Sequence, residues 1–340
     1  MSNHVSTSDK ATAAGIINTL EAAAMSAARA AALAAQHWVG RGDGNAADEA
    51  ATQAMREVLS GAHGTGSVVI GEGEKDEAPM LYNGEQLGTG EGPEFDIAVD
   101  PIEGTSFCAK GLPGALATIA FAESGCMWSP GPAFYMDKLV VPPAARGAVD
   151  IDDEPERTLE KVGEAIGKPV EELRVVVLDK PRHEELIERL MKAGASVHAP
   201  PDGDVAGALD VLLPGGEADL LMGIGGTPEG AMTACAARAL GGGMLGRLAP
   251  QKEEEQKELE ASDFDLERVY DQDELVSSDS IFVGTGISGG SLLRRPWGSD
   301  GAIFTESILI TRGTVRRITE MSSEPVPGLS SPRAHVAEDE

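Results

Sequence analysis

Three shortages narrow the chain before any motif is read. Cysteine is nearly absent: Cys108, Cys126 and Cys235 are the only three in 340 residues. An odd, scattered set makes no disulfide framework and fits a reducing compartment. Long apolar runs are missing as well. No stretch is long enough to span a bilayer, and Met1 to Lys10 is polar, without the apolar core of a signal peptide. The cytoplasm is the expected location, with no membrane partner. Basic side chains are the third shortage, 27 Lys and Arg against 56 Asp and Glu, for a formal net charge of −29. Nucleic acid is excluded as a partner, because neutralising its phosphates needs a basic face. An anionic substrate would be repelled at long range. Any phosphate ligand must therefore meet cations and a few placed basic side chains that reverse the sign locally. A salt-adapted surface is a second reading of the same acidity.

What is present points to a folded enzyme-sized body. The chain is long for one core, so two domains or one large layered unit is expected. Apolar residues make up 41% of it, which is ordinary for a globular protein. Glycine reaches 42 residues and clusters beside acids, where backbone must turn or approach a ligand closely. Ala11 to Gln36 reads as one long helix ending near Gly40 and Gly42, and Ala46 to Leu59 as a second. Ser67 to Ile70, Phe95 to Val99, Leu116 to Phe121 and Lys138 to Val141 read as strands, the second of them stopped by Pro101.

Pro142, Pro143 and the acidic stretch Asp150 to Glu156 suggest a boundary. Residues 1–145 then form an N-terminal α+β metal-binding domain, 146–321 a C-terminal α/β substrate domain, and 322–340 a mobile tail. After the boundary, helices and strands alternate. Helices are expected at Thr158 to Ile166, His183 to Lys192, Val205 to Leu213 and Pro228 to Leu240. Strands are expected at Arg174 to Leu178, Ala195 to His198 and Ala218 to Met222. Such alternation argues for an α/β layer. Gln251 to Glu274 reads as a solvated helix or loop.

The chemistry is concentrated in acids beside strand ends. Asp48 follows Gly42-Asp43-Gly44. Glu72 and Glu74 lie in a glycine-punctuated run after the first strand. Asp100 and Glu103 frame Pro101 and Ile102. Pro101 biases Asp100 toward extended backbone, and a turn through Gly104 can return Glu103 and Thr105 toward it. Carboxylates gathered at neighbouring strand ends repel unless one is protonated or a cation joins them. All-oxygen ligands suit Mg²⁺ or Mn²⁺. Any one of these acids alone is most simply a solvated turn residue. The ordered run Asp-Pro-Ile-Glu-Gly-Thr is far more specific.

That run, Asp100 to Thr105, resembles the metal motif of the lithium-sensitive phosphatase superfamily, which includes inositol monophosphatases and fructose bisphosphatases. The run Ile70 to Tyr82 is similar to the class II, GlpX-type fructose-1,6-bisphosphatases. The similarity continues through Tyr135-Met-Asp-Lys138, Lys180-Pro-Arg-His183, Asp202-Gly-Asp204, Gly223 to Gly230 and Gly284 to Ser288. The resemblance implies a layered α-β-α-β-α sandwich of the sugar-phosphatase type. It implies hydrolysis of the 1-phosphate of fructose 1,6-bisphosphate with two or more Mg²⁺ or Mn²⁺ ions, in a homo-oligomer, dimer or tetramer. Carried over by position, Asp48 and Glu72 would ligate one metal, Asp100 and Glu103 a second, with Glu229 near a cation. Substrate contacts would come from Glu103, Gly104, Thr105, Tyr135, Lys180, Arg182, Asp202, Gly203, Asp204 and Gly226. Glu74 and Asp76 match acidic positions important for catalysis in that family. Thr105, paired with Asp48, is expected to orient an attacking water and help take its proton. Gly44 is a departure, because many relatives carry lysine there.

Local readings stay open beside this one. Lys180 and Arg182 can clamp a phosphate or line a solvated loop. Asp202-Gly203-Asp204 can accept hydrogen bonds from sugar hydroxyls or form a tight turn. Thr227, Pro228 and Glu229 read as the cap and first turn of a helix, whose free amides can also bind an anion. Sedoheptulose-1,7-bisphosphatase, alone or as a dual activity, is the alternative enzyme. A weakly active binder of metal or sugar phosphate is the alternative outside catalysis.

Overall fold

The structure is a computed structural model and describes residues 7–71, 81–262, 264–299 and 301–322, with backbone alone for 7–19. The chain opens with helices α1 (Thr7–Gln36) and α2 (Gly44–Ser60), then strands β1 (Gly64–Ile70), β2 (Gln86–Glu91) and β3 (Glu94–Glu103). Short α3 (Thr105–Lys110), β4 (Leu116–Glu123) and β5 (Tyr135–Val141) follow. Next come α4 (Pro155–Ile166), β6 (Arg174–Val176), α5 (Glu184–Lys192), β7 (Ser196–His198) and α6 (Val205–Leu212). The second half continues with β8 (Leu220–Gly226), α7 (Thr227–Leu240), β9 (Gly243–Leu248), α8 (Glu253–Glu260), β10 (Val269–Asp271) and α9 (Gln272–Leu275). It closes with β11 (Ser280–Gly286), β12 (Trp297–Ser299), β13 (Ala302–Thr311) and β14 (Thr314–Ser322).

The strands form two mixed sheets. One runs β12-β13-β11-β4-β3-β1-β2, with β14 paired to β13, and the other runs β10-β9-β5-β8-β6-β7. Residues 64–123 and 280–322 therefore share the first sheet, and 135–271 supply the second.

Three apolar clusters glue five layers together. α1 and α2 cover the outer face of the first sheet, with Ala28, Ala32 and Met55 against Phe95, Ile97, Phe121 and Val283. The alanines let the helix backbone lie close to the strands. α6 and α7 fill the space between the sheets, where Val205, Leu209, Ala231 and Cys235 meet Ala98, Ala120 and Phe282 on one side and Met136, Val140 and Leu221 on the other. α4 and α5 close the far face through Leu159, Val162 and Leu190 on Leu139, Val175 and Leu220. Each such large side chain, once buried, contributes about 1.5–3 kcal/mol. The result is the α-β-α-β-α sandwich the resemblance implies. No helix among the described residues is long and apolar enough to cross a membrane.

Several local expectations change. β3 does not stop at Pro101 but runs to Glu103. Its register against β4 pairs Asp100 with Thr118 and Glu103 with Leu116, three steps against two. That is a β-bulge, which absorbs a proline without a ladder amide. The segment from Gln251 to Glu274 is not a simple solvated stretch, for it holds α8, β10 and part of α9, with Glu255 and Tyr270 buried. β2, β9 and β11 to β14 arise where no strand was read.

Candidate active site

The bulge in β3 makes the acidic floor. In a regular strand, residues three apart face opposite sides. The extra residue between Asp100 and Glu103 turns both carboxylates to the inner face, toward α6 and α7. Ile102 N donates to Asp100 Oδ1 at 3.0 Å, an Asx-type contact that holds the bend. Gly104 follows with φ 81° and ψ 50°, a left-handed conformation, and any Cβ there would meet Phe107 Cδ2 at 2.9 Å. This glycine lets the chain leave the strand and start α3 at Thr105.

Glu229 completes the floor from the first turn of α7. One carboxylate oxygen each from Asp100, Glu103 and Glu229 lies within 4.8 Å of the others. Glu103 is pushed up to about 8, first by burial, then by the charges of Glu229 and Asp204, against hydrogen bonds from Val205 N and with Asp100. Glu229 is also raised, by burial first, with Lys138 pulling the other way. Glu229 Oε2 is shut from solvent with no hydrogen-bond partner among the described residues. An orphaned buried carboxylate oxygen beside two more carboxylates fits a divalent cation with oxygen ligands.

Glycines make the room. A Cβ on Gly226 would stand 1.9 Å from Glu229 Oε2, and one on Gly225 would stand 1.9 Å from Asp204 Oδ2. Gly226, and not Thr227, is the cap residue of α7, with no side-chain cap bond. The buried Thr227 hydroxyl finds no partner among the described residues.

Asp48 and Thr105 form a second group. Thr105 Oγ1 donates to Asp48 Oδ1 at 3.0 Å and also lies 3.1 Å from Ile102 O. Asp48 is pushed up to about 6 by burial, against the Thr105 hydroxyl and reinforced by the charge of Asp202. Asp202 Oδ2 accepts from Ser106 N at 3.1 Å, which ties its loop to the start of α3. Gly44 opens α2 after the Asp43 cap, and a Cβ on it would lie 2.9 Å from Thr105 Cγ2. Glycine here thus leaves Thr105 its position. Glu72, Glu74 and Asp76 lie outside the described residues.

The floor opens into a cleft of about 410 Å³. Glu103, Tyr135, Lys180, Arg182, Asp202, Gly203, Asp204, Gly226 and Glu229 all line it, nine of the residues singled out by sequence. Asp48, Asp100, Gly104 and Thr105 do not. The Arg182 guanidinium donates to Ile224 O at 2.8 Å through Nη2 and lies 5.3 Å from the Tyr135 ring centre. His183 bridges beneath: its Nδ1 is 2.8 Å from Leu178 O and its Nε2 accepts from Ile224 N at 2.8 Å. The imidazole is thereby the neutral Nδ1–H tautomer.

Two residues escaped the sequence reading. Lys138 is 2% exposed and forms an ion pair with Asp204 Oδ2 at 2.5 Å. Its signal was a lysine alternating with Met136 and Val140, at a core register of a strand. Buried Glu255 accepts from Phe134 N at 2.7 Å and Tyr135 N at 3.0 Å, bracing the cleft's aromatic edge from α8. Its place in a highly charged segment gave no warning.

A five-layer α/β sandwich with a carboxylate floor and a cationic wall defines the class, a sugar-phosphatase-like protein. The chain belongs to the family described as bacterial fructose-1,6-bisphosphatase, glpX-encoded, whose model matches residues 18–322. It is 43% identical over 307 residues to fructose-1,6-bisphosphatase 1 class 2 of Escherichia coli K12, covering 86% of this chain and 91% of that protein. The class 2 fructose-1,6-bisphosphatase of Shigella flexneri matches with the same identity and coverage.

Proposed function

We propose that this protein hydrolyses the 1-phosphate of fructose 1,6-bisphosphate, yielding fructose 6-phosphate and phosphate, with Mg²⁺ or Mn²⁺ as cofactor. The observation that carries the reading is one cleft with Glu103 and Glu229 at its floor, Asp100 converging on both from behind, and Lys180 and Arg182 on its wall. An acidic floor alone would repel a sugar phosphate. A cation-loaded floor with a cationic wall suits a ligand with a phosphate at each end.

Asp100, Glu103 and Glu229 would hold a cation, and Asp48 with Glu72 a further one. When bound, such ions neutralise phosphoryl oxygens, stabilise the leaving alkoxide and acidify water. Lys180 and Arg182 hold the distal phosphate, Arg182 by its fork and Lys180 as a point charge. Tyr135 supports Arg182 through its ring face. Holding the distal end fixes the scissile end. Asp202 and Gly203 meet the sugar, with Gly104 and Gly226 offering backbone close to it. Thr105 Oγ1 orients the attacking water, and the proton moves through that hydroxyl to Asp48 Oδ1. Glu74 and Asp76 are assigned supporting acidic roles by position in the family.

The relatives' names favour fructose 1,6-bisphosphate over sedoheptulose 1,7-bisphosphate. The weak-binder alternative rests on Gly44 alone. A cytoplasmic homo-oligomer is part of the same reading, in keeping with three free cysteines. Phosphate release from fructose 1,6-bisphosphate, sedoheptulose 1,7-bisphosphate and inositol monophosphate, with Mg²⁺, Mn²⁺ or chelator, tests it. Fructose 1,6-bisphosphate should turn over fastest, and only with metal. Binding of the bisphosphates without any release would overturn it.

A further inference from the structure

The acidic floor contains a cation that the chain itself supplies. Glu103, Asp204 and Glu229 crowd one end of the cleft, with Asp202 close by and Asp100 behind them. Asp204 acts as a like charge on Glu103 and on Glu229, and Asp202 acts so on Glu229. Yet these acids have different partners. Asp100, Glu103 and Glu229 converge on one another. Asp204 turns instead to Lys138 Nζ at 2.5 Å.

Lys138 is the only lysine that is buried among the described residues. Its ammonium also donates to Gly226 O at 2.9 Å. It thus joins three elements: β5, on which it sits, the turn that enters α6, and the start of α7. The turn into α6 matters to the floor. Val205 N, one residue after Asp204, donates to Glu103 Oε1 at 2.8 Å. Gly203, with φ +70°, packs so close that a Cβ there would lie 3.3 Å from Glu103 Oε1. The chain from Lys138 to Asp204 to Val205 N therefore ends on the carboxylate shared by the cation cluster and the cleft.

The surroundings of Nζ are oxygen atoms: a carboxylate, a peptide carbonyl and, nearby, Glu229. Without an ammonium, the same oxygens suit a hard divalent cation. Removing a lysine from a buried pair also leaves an uncompensated charge, which is strongly destabilising unless another cation arrives.

We propose that Lys138 is a positioning residue and resident counter-ion of this site, keeping Asp204 out of the metal-ligand set and fixing the turn whose Val205 amide holds Glu103. The proposal rests on the assignment of Asp100, Glu103 and Glu229 as cation ligands.

The test counts Mn²⁺ bound per chain by full-length protein, using electron paramagnetic resonance of free Mn²⁺ during titration. Wild type, Lys138→Met and Lys138→Met with Asp204→Asn are compared, and their unfolding is followed without metal. Methionine keeps the stem and vacates the ammonium position. Lys138→Met should bind one more Mn²⁺ than wild type, and the double variant should return to the wild-type number. The Michaelis constant for fructose 1,6-bisphosphate should rise about tenfold or more in Lys138→Met, because the Asp202–Val205 turn loses its anchor. Should Lys138→Met not fold, the double variant should still fold and be more stable than Asp204→Asn alone. A folded Lys138→Met with an unchanged Mn²⁺ count would overturn the proposal, as would a double variant no more stable than Asp204→Asn. Failure of wild type itself to bind Mn²⁺ would instead overturn the assignment of the carboxylate ligands.

Discussion

The floor and the wall of the cleft handle charge in opposite ways. On the floor, Asp100, Glu103 and Glu229 are fixed by a β-bulge, a glycine turn and a helix start, and held where they repel one another. On the wall, Lys180 caps a short 3-10 turn (Pro181–His183) that carries Arg182, which is exposed and held by one carbonyl and one aromatic face. The floor is rigid and electrostatically unfavourable without a cation. The wall is solvated and needs no partner ion. Sites that must bind a small, hard ion call for converging oxygens in fixed places. Sites that must grip a phosphate on a swinging substrate can use long side chains whose charge stays in water.

The comparison can be broken from either side. Asp100→Asn should reduce turnover about a thousandfold or more, since one ligand charge is lost where transition-state charge develops, while circular dichroism stays unchanged. Near-normal phosphate release by that variant would sink the role of the floor. Glu229→Gln should cut activity too, yet raise the metal-free protein's stability by about 1–3 kcal/mol, because a buried charge with an orphaned oxygen is removed. Urea unfolding with and without Mn²⁺ measures this, and the metal should stabilise wild type more than the variant.

On the wall, Arg182→Ala should raise the Michaelis constant for the bisphosphate about tenfold or more and change turnover less, as a charge-assisted contact is lost. Equal loss in both constants would assign Arg182 to the chemistry instead. The smallest effect concerns His183. Burial holds its imidazole below the ordinary range, with Arg182 and Lys180 adding to this and Asp204 opposing. As pH falls through about 6.5, the unfolded chain takes up the proton before the folded one, so stability declines by up to about 1.4 kcal/mol per pH unit. Above that pH the contribution is fully present. Unfolding at pH 7.5 and 5.5 should therefore differ more for wild type than for His183→Gln.

Much of the floor was readable because it is local. Asp100, Glu103, Gly104 and Thr105 are six residues from end to end, and the proline and glycine spell out the bend. Even there, the reading expected a strand that stops at Pro101, where the backbone bulges and continues. A bulge depends on what β4 offers opposite, which residues 95–103 do not encode. Glu229 was found through family likeness, while its own sequence context spoke only of a helix start. Lys138 was hidden because ion pairing to Asp204 arises from two distant segments packed together. The helices of the α/β half and its strands β5 to β8 were read well, while the inner strand β9 was not. Strands β11 to β14 were not read either, although β12, β13 and β14 pair with one another locally; β11 has its distant partner in β4.

That last arrangement bears on how the protein is made. β4 presents one edge to β3 and the other to β11. Between Glu123 and Ser280 the ribosome must synthesise the entire second sheet. Until then β4 carries an open hydrogen-bonding edge, and open edges invite pairing with other chains. The strand that bears Asp100 and Glu103 thus waits for the last quarter of the polypeptide before its sheet is closed. A chain cut off shortly before Ser280 would contain every residue that lines the cleft and still lack the sheet partner that completes the support behind it.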